Sequence, residues 1–195
     1  MGARAYTILE RYIERLTNGV AVEIGTERQE GSTTFLASLC EAHGLQFFSV
    51  DVDPGEHELA RRRLGERAVC AKGEDFLPTL DTNVCFAYLD NFDWMWEPHA
   101  EAEYENYIAR YKTFGLEMNN LNSQRSHLAQ AVAVCGKRAA HCLIIIDDTW
   151  RRADGTFDGK GGAAVPYLLN TGFELLQESP LHEPPGAVAL WSCPT

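Results

Sequence analysis

The feature that most constrains the fold is a series of short, continuously apolar runs separated by helical patterns. Val84 to Leu89 and Cys142 to Ile146 are the clearest of these runs, and each ends directly at an aspartate. A strand that is apolar at every position must be covered on both faces, which is typical of a parallel sheet between two layers of helices. The pattern therefore predicts an α/β three-layer sandwich.

Five further segments complete a predicted sheet of seven strands. They are Val20 to Ile24, Gln46 to Val50, Ala68 to Ala71, Phe173 to Glu178 and Ala187 to Trp191. Because Pro184-Pro185-Gly186 joins the last two, we expect a hairpin there, with an antiparallel C-terminal strand in a mostly parallel sheet. Helices are predicted between the strands, one of them starting at Ser32 with its hydroxyl as a candidate N-cap.

About fifty residues separate the fourth and fifth strands, which is more than one crossover helix needs. The segment is aromatic and acidic from Phe92 to Tyr111 and polar from Asn119 through Gln130. We therefore predict a helical insertion, about residues 92–122, that acts as a substrate lid within a single domain spanning 1–195. No repeat or low-complexity linker divides the chain.

The charge of the chain narrows its partners. It has 195 residues with 17 Lys and Arg against 28 Asp and Glu, a formal net charge of -11, which repels phosphate backbones and anionic lipid. We predict a small-molecule partner, no nucleic acid and no membrane, and leave a homo-oligomer open. The run Arg61 to Arg63 is interpreted as a solvated helix face. The cysteines and the apolar segments bear on where the protein is found. The chain has six cysteines without a CxxC pair and no apolar stretch long enough for a signal peptide. These features predict a cytoplasmic protein with reduced thiols.

Acidic residues stand at or just past the ends of five successive predicted strands. They are Glu23, Asp51, Glu74, Asp75, Asp90, Asp147 and Asp148. In an open parallel sheet, ligands bind beyond the carboxyl ends of the strands. One such carboxylate is typically a helix cap, but a series indicates a ligand rich in hydroxyls and carrying positive charge. A carboxylate after the second strand can accept hydrogen bonds from a ribose diol, and one after the third can meet an adenine amine.

The turn after the first strand distinguishes between a nicotinamide dinucleotide and a sulfonium cofactor as the ligand. A nicotinamide dinucleotide requires a tight Gly-x-Gly-x-x-Gly turn for its pyrophosphate. Here the turn runs from Gly25 to Gly31 and is long and acidic, which suits a sulfonium amino acid better. A dehydrogenase is therefore disfavoured.

Three segments resemble the motifs of class I S-adenosylmethionine-dependent methyltransferases, which have a Rossmann-like fold. They are Val22 to Gly25 followed by Gly31-Ser32, Ser49 to Pro54, and Lys72 to Leu77. The resemblance implies S-adenosylmethionine as cofactor, with Asp51 on its ribose and Glu74 and Asp75 near its adenine. It places five residues at the methionine end: Glu23, Gly25, Thr26, Gly31 and Ser32. Gln29-Glu30 depart from the small residues usual in the first motif.

Two other segments are similar to metal-dependent small-molecule O-methyltransferases of the catechol-type, macrolide-sugar and cephalosporin-hydroxylase-like groups. They are Phe86 to Asp90 and Leu143 to Thr149. The similarity implies a Mg²⁺ ion on Asp90, Asp147 and Asp148, and carboxylates from adjacent strand ends suit a hard cation. The alternative is that Asp148 caps a turn while Asp90 and Asp147 hydrogen-bond loop backbone.

A methyl acceptor must lose a proton, so a base is expected near the acceptor. Asp93, three residues past Asp90, and His127, in the polar part of the segment between the fourth and fifth strands, are the two candidates. Four aromatic residues could form a wall over the acceptor or serve as core anchors: Trp94, Trp96, Tyr104 and Tyr107. Glycines 155, 159, 161 and 162 are interpreted as hinges of a mobile loop.

The combined prediction is S-adenosylmethionine-dependent methyl transfer to an oxygen of a small hydroxylated acceptor, assisted by a divalent metal. The alternative is a non-methylating relative that binds the cofactor as a hydroxylase-like or regulatory partner subunit. It is motivated by Gln29-Glu30 and by Asp93, which stands where the catechol-type enzymes that this chain resembles carry a lysine.

Overall fold

The computed structural model describes residues 4–26, 31–97, 99–181, 183 and 185–192. Seven strands form the main sheet: β1 (Val20–Ile24), β2 (Gln46–Asp51), β3 (Ala68–Cys70), β4 (Val84–Leu89), β5 (Arg138–Ile146), β8 (Glu174–Gln177) and β9 (Val188–Ser192). Their order is β3-β2-β1-β4-β5-β9-β8. Pairing is parallel from β3 through β5, and β9 runs antiparallel to both β5 and β8. The predicted fold class is confirmed.

Six helices accompany the strands within the described residues. They are α1 (Ser32–Ala42), α2 (Pro54–Leu64), α3 (Gly73–Phe76), α4 (Glu105–Thr113), α5 (Asn120–Lys137) and α6 (Ala164–Asn170). The N-terminal region forms two 3₁₀ segments, Ala5–Arg11 and Ile13–Arg15. Ser32 does not act as the N-cap of α1, because that position belongs to Gly31 and the Ser32 hydroxyl donates to Glu23.

Two apolar layers cover the faces of the sheet. Because side chains alternate along a strand, β4 sends Phe86 and Tyr88 into one layer and Ala87 and Leu89 into the other. The first layer is closed by the N-terminal segments and α1, and the second by α5 and α6. Every residue of β1 and β4 is buried, so both strands that frame the centre of the sheet are fixed by packing.

Two parts of the chain lie outside this sandwich. A small separate hairpin, β6 (Thr149–Arg151) with β7 (Phe157–Gly159), follows β5. The insertion contains α4 and leads into α5, and it has its own small apolar cluster around Phe92 and Tyr111. Arg110 of α4 forms ion pairs with Asp53 and Glu56 beside the end of β2. The insertion thus lies over the carboxyl edge of the sheet, and its role as a lid stays a prediction.

Two properties of the described residues bear on the environment of the protein. The five cysteines among them are unpaired, while Cys193 lies outside the described residues. No helix in the described ranges is both long and apolar enough to cross a membrane.

Candidate cofactor site and active site

A cavity of about 560 Å³ opens at the carboxyl ends of the parallel strands. The loops after all five parallel strands contribute to its wall. Their lining residues include Thr26, Asp51, Glu74, Asp90 and Asp147. The cavity lies where β1 has β2 on one side and β4 on the other, which is the switch in strand order at which open α/β sheets bind ligands.

The turn after β1 brings the backbone close to the next strand end. Gly25 has a φ of +96°, and a Cβ on it would lie 2.5 Å from the carbonyl oxygen of Asp90. Only glycine combines this conformation with so close an approach. Gly25, Thr26 and Ser32 line the cavity, whereas Gly31 does not. Residues 27–30, including the departure at Gln29-Glu30, lie outside the described residues.

Glu23 takes a different position from the one expected at the methionine end. Its side chain is fully buried, and its carboxylate accepts hydrogen bonds from the hydroxyls of Ser32 (2.7 Å), Thr33 (2.6 Å) and Ser49 (2.7 Å). It is not among the lining residues of the cavity. Because Glu23 lies within β1, its side chain points into the layer between the sheet and α1. Glu23 therefore ties α1 to β1 and β2 and supports the binding turn indirectly.

Asp51, at the end of β2, is the carboxylate expected on the ribose. Its Oδ2 accepts from the backbone N–H of Thr26 at 2.9 Å, and its Oδ1 accepts from the N–H of Asp53 at 2.7 Å. Two backbone donors therefore fix the orientation of this side chain at the cavity wall. Asp53 caps α2 through the N–H of Gly55, so the local geometry follows from the helix start.

The two acidic residues after β3 separate. Glu74 lines the cavity and accepts from Ser126 Oγ (3.2 Å) and Gln130 Nε2 (3.0 Å), whereas Asp75 is exposed and does not line it. Two buried amide oxygens nearby, Asn91 Oδ1 and Gln130 Oε1, have no hydrogen-bond partner among the described residues. Buried acceptors without donors indicate a missing ligand or water. A ligand with amine or hydroxyl donors could satisfy Asn91, which lines the cavity, whereas Gln130 is not among the lining residues.

The ends of β4 and β5 converge on an ionic cluster in which half-buried aspartates surround a buried lysine. Lys160 is 4% exposed, and its Nζ lies 2.7 Å from Asp90 Oδ1 and 3.0 Å from Asp148 Oδ2. The Tyr88 hydroxyl donates to Asp147 Oδ2 and lies 3.1 Å from Asp90 Oδ2. All five residues line the cavity. We call this group the Asp/Lys cluster.

The short distances between the charged groups of the Asp/Lys cluster shift their pKa values. Burial, with the nearby carboxylates of Asp90 and Asp148, raises the pKa of Asp147 to about 8. Burial opposes the charge of Lys160, but attraction to the three aspartates outweighs it and holds the pKa of Lys160 well above its ordinary value. The ammonium is therefore charged at neutral pH.

The predicted magnesium site does not fit this arrangement. The three predicted ligands do converge, but the Lys160 ammonium lies between Asp90 and Asp148 at hydrogen-bond distance from both. A divalent ion on these carboxylates would lie against a fixed positive charge, which is strongly unfavourable at such short range. Among the residues that the structure describes, no group of three or more His, Cys, Asp or Glu side chains could hold a metal ion. The metal prediction is therefore not supported.

Lys160 is the main site residue that the sequence reasoning missed. It follows β7, where Gly159 has a φ of +79° and a Cβ would lie 1.9 Å from the carbonyl oxygen of Asp148. Two of the glycines predicted to act as hinges, Gly159 and Gly161, are packed too closely for a side chain, whereas a Cβ on Gly162 would meet the Gln124 side chain and one on Gly155 would meet nothing within 4 Å. The available signal was a lone lysine flanked by glycines, twelve residues after the strand-end pair Asp147-Asp148.

The two candidate bases differ in access to the cavity. Asp93 lines it, with its N–H donating to the Tyr111 hydroxyl at 2.7 Å and its Oδ2 accepting from that hydroxyl at 3.0 Å. His127 is fully buried and is not among the lining residues. Its Nδ1 lies 2.8 Å from the Ser123 carbonyl oxygen, and burial, reinforced by Lys160, lowers its pKa to about 3. His127 is thus not placed to take a proton from a bound acceptor.

The aromatic residues of the insertion fall into two groups, one packed away from the cavity and one lining it. Trp96 stacks on Trp150 of β6 with ring centroids 5.1 Å apart, and Trp94 meets the same ring edge-on at 5.8 Å. Tyr104 accepts from the N–H of Trp96. None of the four aromatic residues proposed as a wall is among the lining residues. Those that line the insertion side are Phe92, Tyr111 and Phe114.

No protein-family model and no curated protein matches this sequence. Solved structures do match over nearly the whole chain. SMU.1697c of Streptococcus mutans, a candidate methyltransferase in complex with SAH, is 11% identical with a TM-score of 0.55, covering 98% of this chain and 99% of that one. A candidate rRNA-methylase from Clostridium thermocellum is 10% identical with a TM-score of 0.56, covering 98% and 97%. The O-methyltransferase NovP is 13% identical with a TM-score of 0.56, covering 97% and 78%. The chain therefore has the Rossmann-like fold of class I S-adenosylmethionine-dependent methyltransferases.

Proposed function

We propose that this protein transfers a methyl group from S-adenosylmethionine (SAM) to an oxygen of a small hydroxylated acceptor. The observation that carries the proposal is the fixed carboxylate of Asp51 at the switch point, facing the same cavity as the Asp/Lys cluster. A relative of the same fold binds SAH, the demethylated product.

The cavity offers a partner for each part of the cofactor. Asp51 can accept both ribose hydroxyls, since a carboxylate suits a diol. Glu74 and Asn91 Oδ1, which has no partner within the described ranges, can supply acceptors for the adenine amine. The Asp/Lys cluster, in which three aspartates surround a single ammonium, favours a sulfonium cation at the other end. The close approach of the backbone at Gly25 to the end of β4 leaves room in the cavity for the part of the cofactor that connects the ribose to the sulfonium.

The composition of the wall supports a small acceptor that is not a polyanion. Eight acidic and four basic residues are among those that line the cavity, so RNA phosphates would meet repulsion there in addition to the net charge of -11. Phe92, Tyr111 and Phe114 supply an apolar side against which a flat or sugar-like molecule can pack. Methylation of oxygen is also the activity stated for NovP.

The reaction is a direct displacement at the methyl carbon. The acceptor hydroxyl gives its proton to a carboxylate, and its oxygen forms a bond to the methyl carbon as the carbon–sulfur bond breaks. The electron pair stays on sulfur, which leaves as a neutral thioether. Asp93, which lines the cavity, is the carboxylate that would receive the proton. The protein contributes mainly by holding oxygen and methyl group in line.

Calorimetric titration with SAH tests the cofactor part of the proposal. Asp51→Asn keeps the shape but removes the charge, and we expect SAH affinity to fall about 10- to 100-fold, as for the loss of charge-assisted hydrogen bonds. Asp75→Asn is the matched control, because Asp75 is exposed and off the cavity. No binding of SAM or SAH to folded wild-type protein would refute the proposal.

Turnover separates the proposal from a cofactor-binding subunit without chemistry. Methyl-labelled SAM is incubated with a panel of catechols, sugars and other hydroxylated compounds. Label in a product supports O-methyl transfer. Tight SAH binding with no transfer across the panel favours a non-methylating relative instead.

A further inference from the structure

The carboxylates of the Asp/Lys cluster already have protein donors in the positions that a metal would occupy. Asp90 accepts from Lys160 Nζ at 2.7 Å, and Asp148 lies 3.0 Å from the same atom. Asp147 accepts from the Tyr88 hydroxyl and from the backbone N–H of Asp148. The cation of this cluster is therefore part of the chain.

The segment that delivers Lys160 is held on both sides. The N–H of Lys160 donates to the Asp148 carbonyl oxygen at 2.9 Å, and the N–H of Gly161 donates to Thr149 Oγ1 at 2.8 Å. Gly159 approaches the Asp148 carbonyl so closely that no side chain would fit. The ammonium is thus positioned by backbone contacts to the same strand end that supplies Asp148.

An ammonium has three N–H donors. Within the described residues, one of them donates to Asp90, and Asp148 forms an ion pair with the same Nζ at 3.0 Å. With one donor directed to each carboxylate, the third is left for a ligand, and Lys160 lines the cavity. A fixed positive charge beside a developing oxyanion stabilises the transition state in a site that excludes water.

We propose that Lys160 is the built-in cation of this active site, replacing a divalent metal and donating its third N–H to the acceptor oxygen. The role in catalysis depends on the proposed methyl transfer, whereas the replacement of the metal does not. As the acceptor proton passes to a carboxylate, the Lys160 ammonium keeps its own protons and balances the negative charge on the oxygen. That charge is consumed when the oxygen bonds to the methyl carbon.

Titration with Mn²⁺ alone tests the replacement of the metal. Three proteins are compared by electron paramagnetic resonance and by thermal unfolding: the wild type, Lys160→Met, and Lys160→Met/Asp148→Asn, which keeps the net charge of the cluster. We expect the wild type to show no site filled below about 1 mM Mn²⁺. We expect Lys160→Met to bind at least about tenfold more tightly and to be stabilised by the ion, because three carboxylates then lack their cation. The double variant, with one carboxylate fewer, should lose most of that gain.

Stoichiometric micromolar binding of Mn²⁺ by the wild type would overturn the replacement of the metal. If Lys160→Met does not fold without metal, its rescue by Mn²⁺ during refolding supports the proposal, and lack of rescue contradicts it. SAH calorimetry on the wild type is run in parallel, so that failure of the proposed function is recognised separately.

Once an acceptor is found, the catalytic part has its own test. Wild-type turnover should be unchanged by a chelator, and Lys160→Met should lose at least about 100-fold in kcat with little change in SAH affinity. A variant that retains the wild-type kcat would overturn the role of Lys160 on the acceptor oxygen.

Discussion

His127 should make the stability of this protein fall in mild acid. The ring is fully buried, and its pKa is lowered from 6.5 to about 3, first by burial and then by the charge of Lys160. Below pH 6.5 the unfolded chain takes up a proton that the folded protein does not, so the free energy of unfolding falls as the pH falls from about 6.5 towards 3. From pH 7 to pH 4.5 this linkage amounts to about 2.5 kcal/mol.

His127→Leu isolates this effect. Leucine has a similar size and cannot titrate, and the Ser123 carbonyl that faces the ring lies one helical turn earlier in α5. Urea unfolding followed by tryptophan fluorescence gives the free energy of unfolding at each pH. The difference between variant and wild type should shift by about 2.5 kcal/mol in favour of the variant between pH 7 and pH 4.5. His43→Gln, at an exposed position, is the control for a surface change.

A pH-independent difference between His127→Leu and wild type would refute the burial argument. The same variant also tests the sequence prediction that His127 is the base. Since the ring does not line the cavity, we expect methyl transfer within a few-fold of wild type. A loss of 10²-fold or more in a folded variant, on the scale of a lost general base, would restore His127 as a candidate.

Two further substitutions test how the cavity is built. Gly25→Ala places a Cβ 2.5 Å from the Asp90 carbonyl oxygen at a φ of +96°, so we expect the free energy of unfolding to drop by about 3 kcal/mol. The control is Gly44→Ala, whose Cβ meets nothing within 4 Å and which should lower the free energy of unfolding by about 1 kcal/mol. Equal losses in the two variants would contradict the close approach at Gly25. Arg110→Gln releases α4 from Asp53, so we expect calorimetry to show SAH affinity several-fold weaker, with stability changed by less than about 1 kcal/mol. Arg61→Gln, another exposed ion-pair partner, should leave SAH affinity unchanged; a similar effect of both variants would argue against the α4 contact.

The sheet could be predicted because the residues at the ends of its central strands mark where those strands stop. The strands β1 and β4 have the predicted ends, since each apolar run stops at a glycine or an aspartate. The hairpin β6–β7 was missed because each strand has three residues and includes charged side chains such as Arg151 and Asp158. Such short strands have no apolar pattern to detect.

Only the site residues that lie at the ends of single strands could be predicted from the sequence. The buried face of α5 is polar over the first part of the helix, with Ser123, His127 and Gln130 inside, so apolar periodicity could not show which way that part of the helix faces. Lys160 is buried because aspartates from two distant strand ends surround it. That arrangement depends on the tertiary fold, and a lysine taken alone is expected at the surface.

A crystal structure of the protein with SAH, grown in the presence of Mg²⁺, tests the central claim most directly. We expect the ribose hydroxyls on Asp51, the adenine beside Glu74, the sulfur facing the Asp/Lys cluster, and Lys160 still bonded to Asp90. SAH bound away from the carboxyl ends of β1 and β2, or a metal ion on Asp90 with Lys160 displaced, would contradict the account.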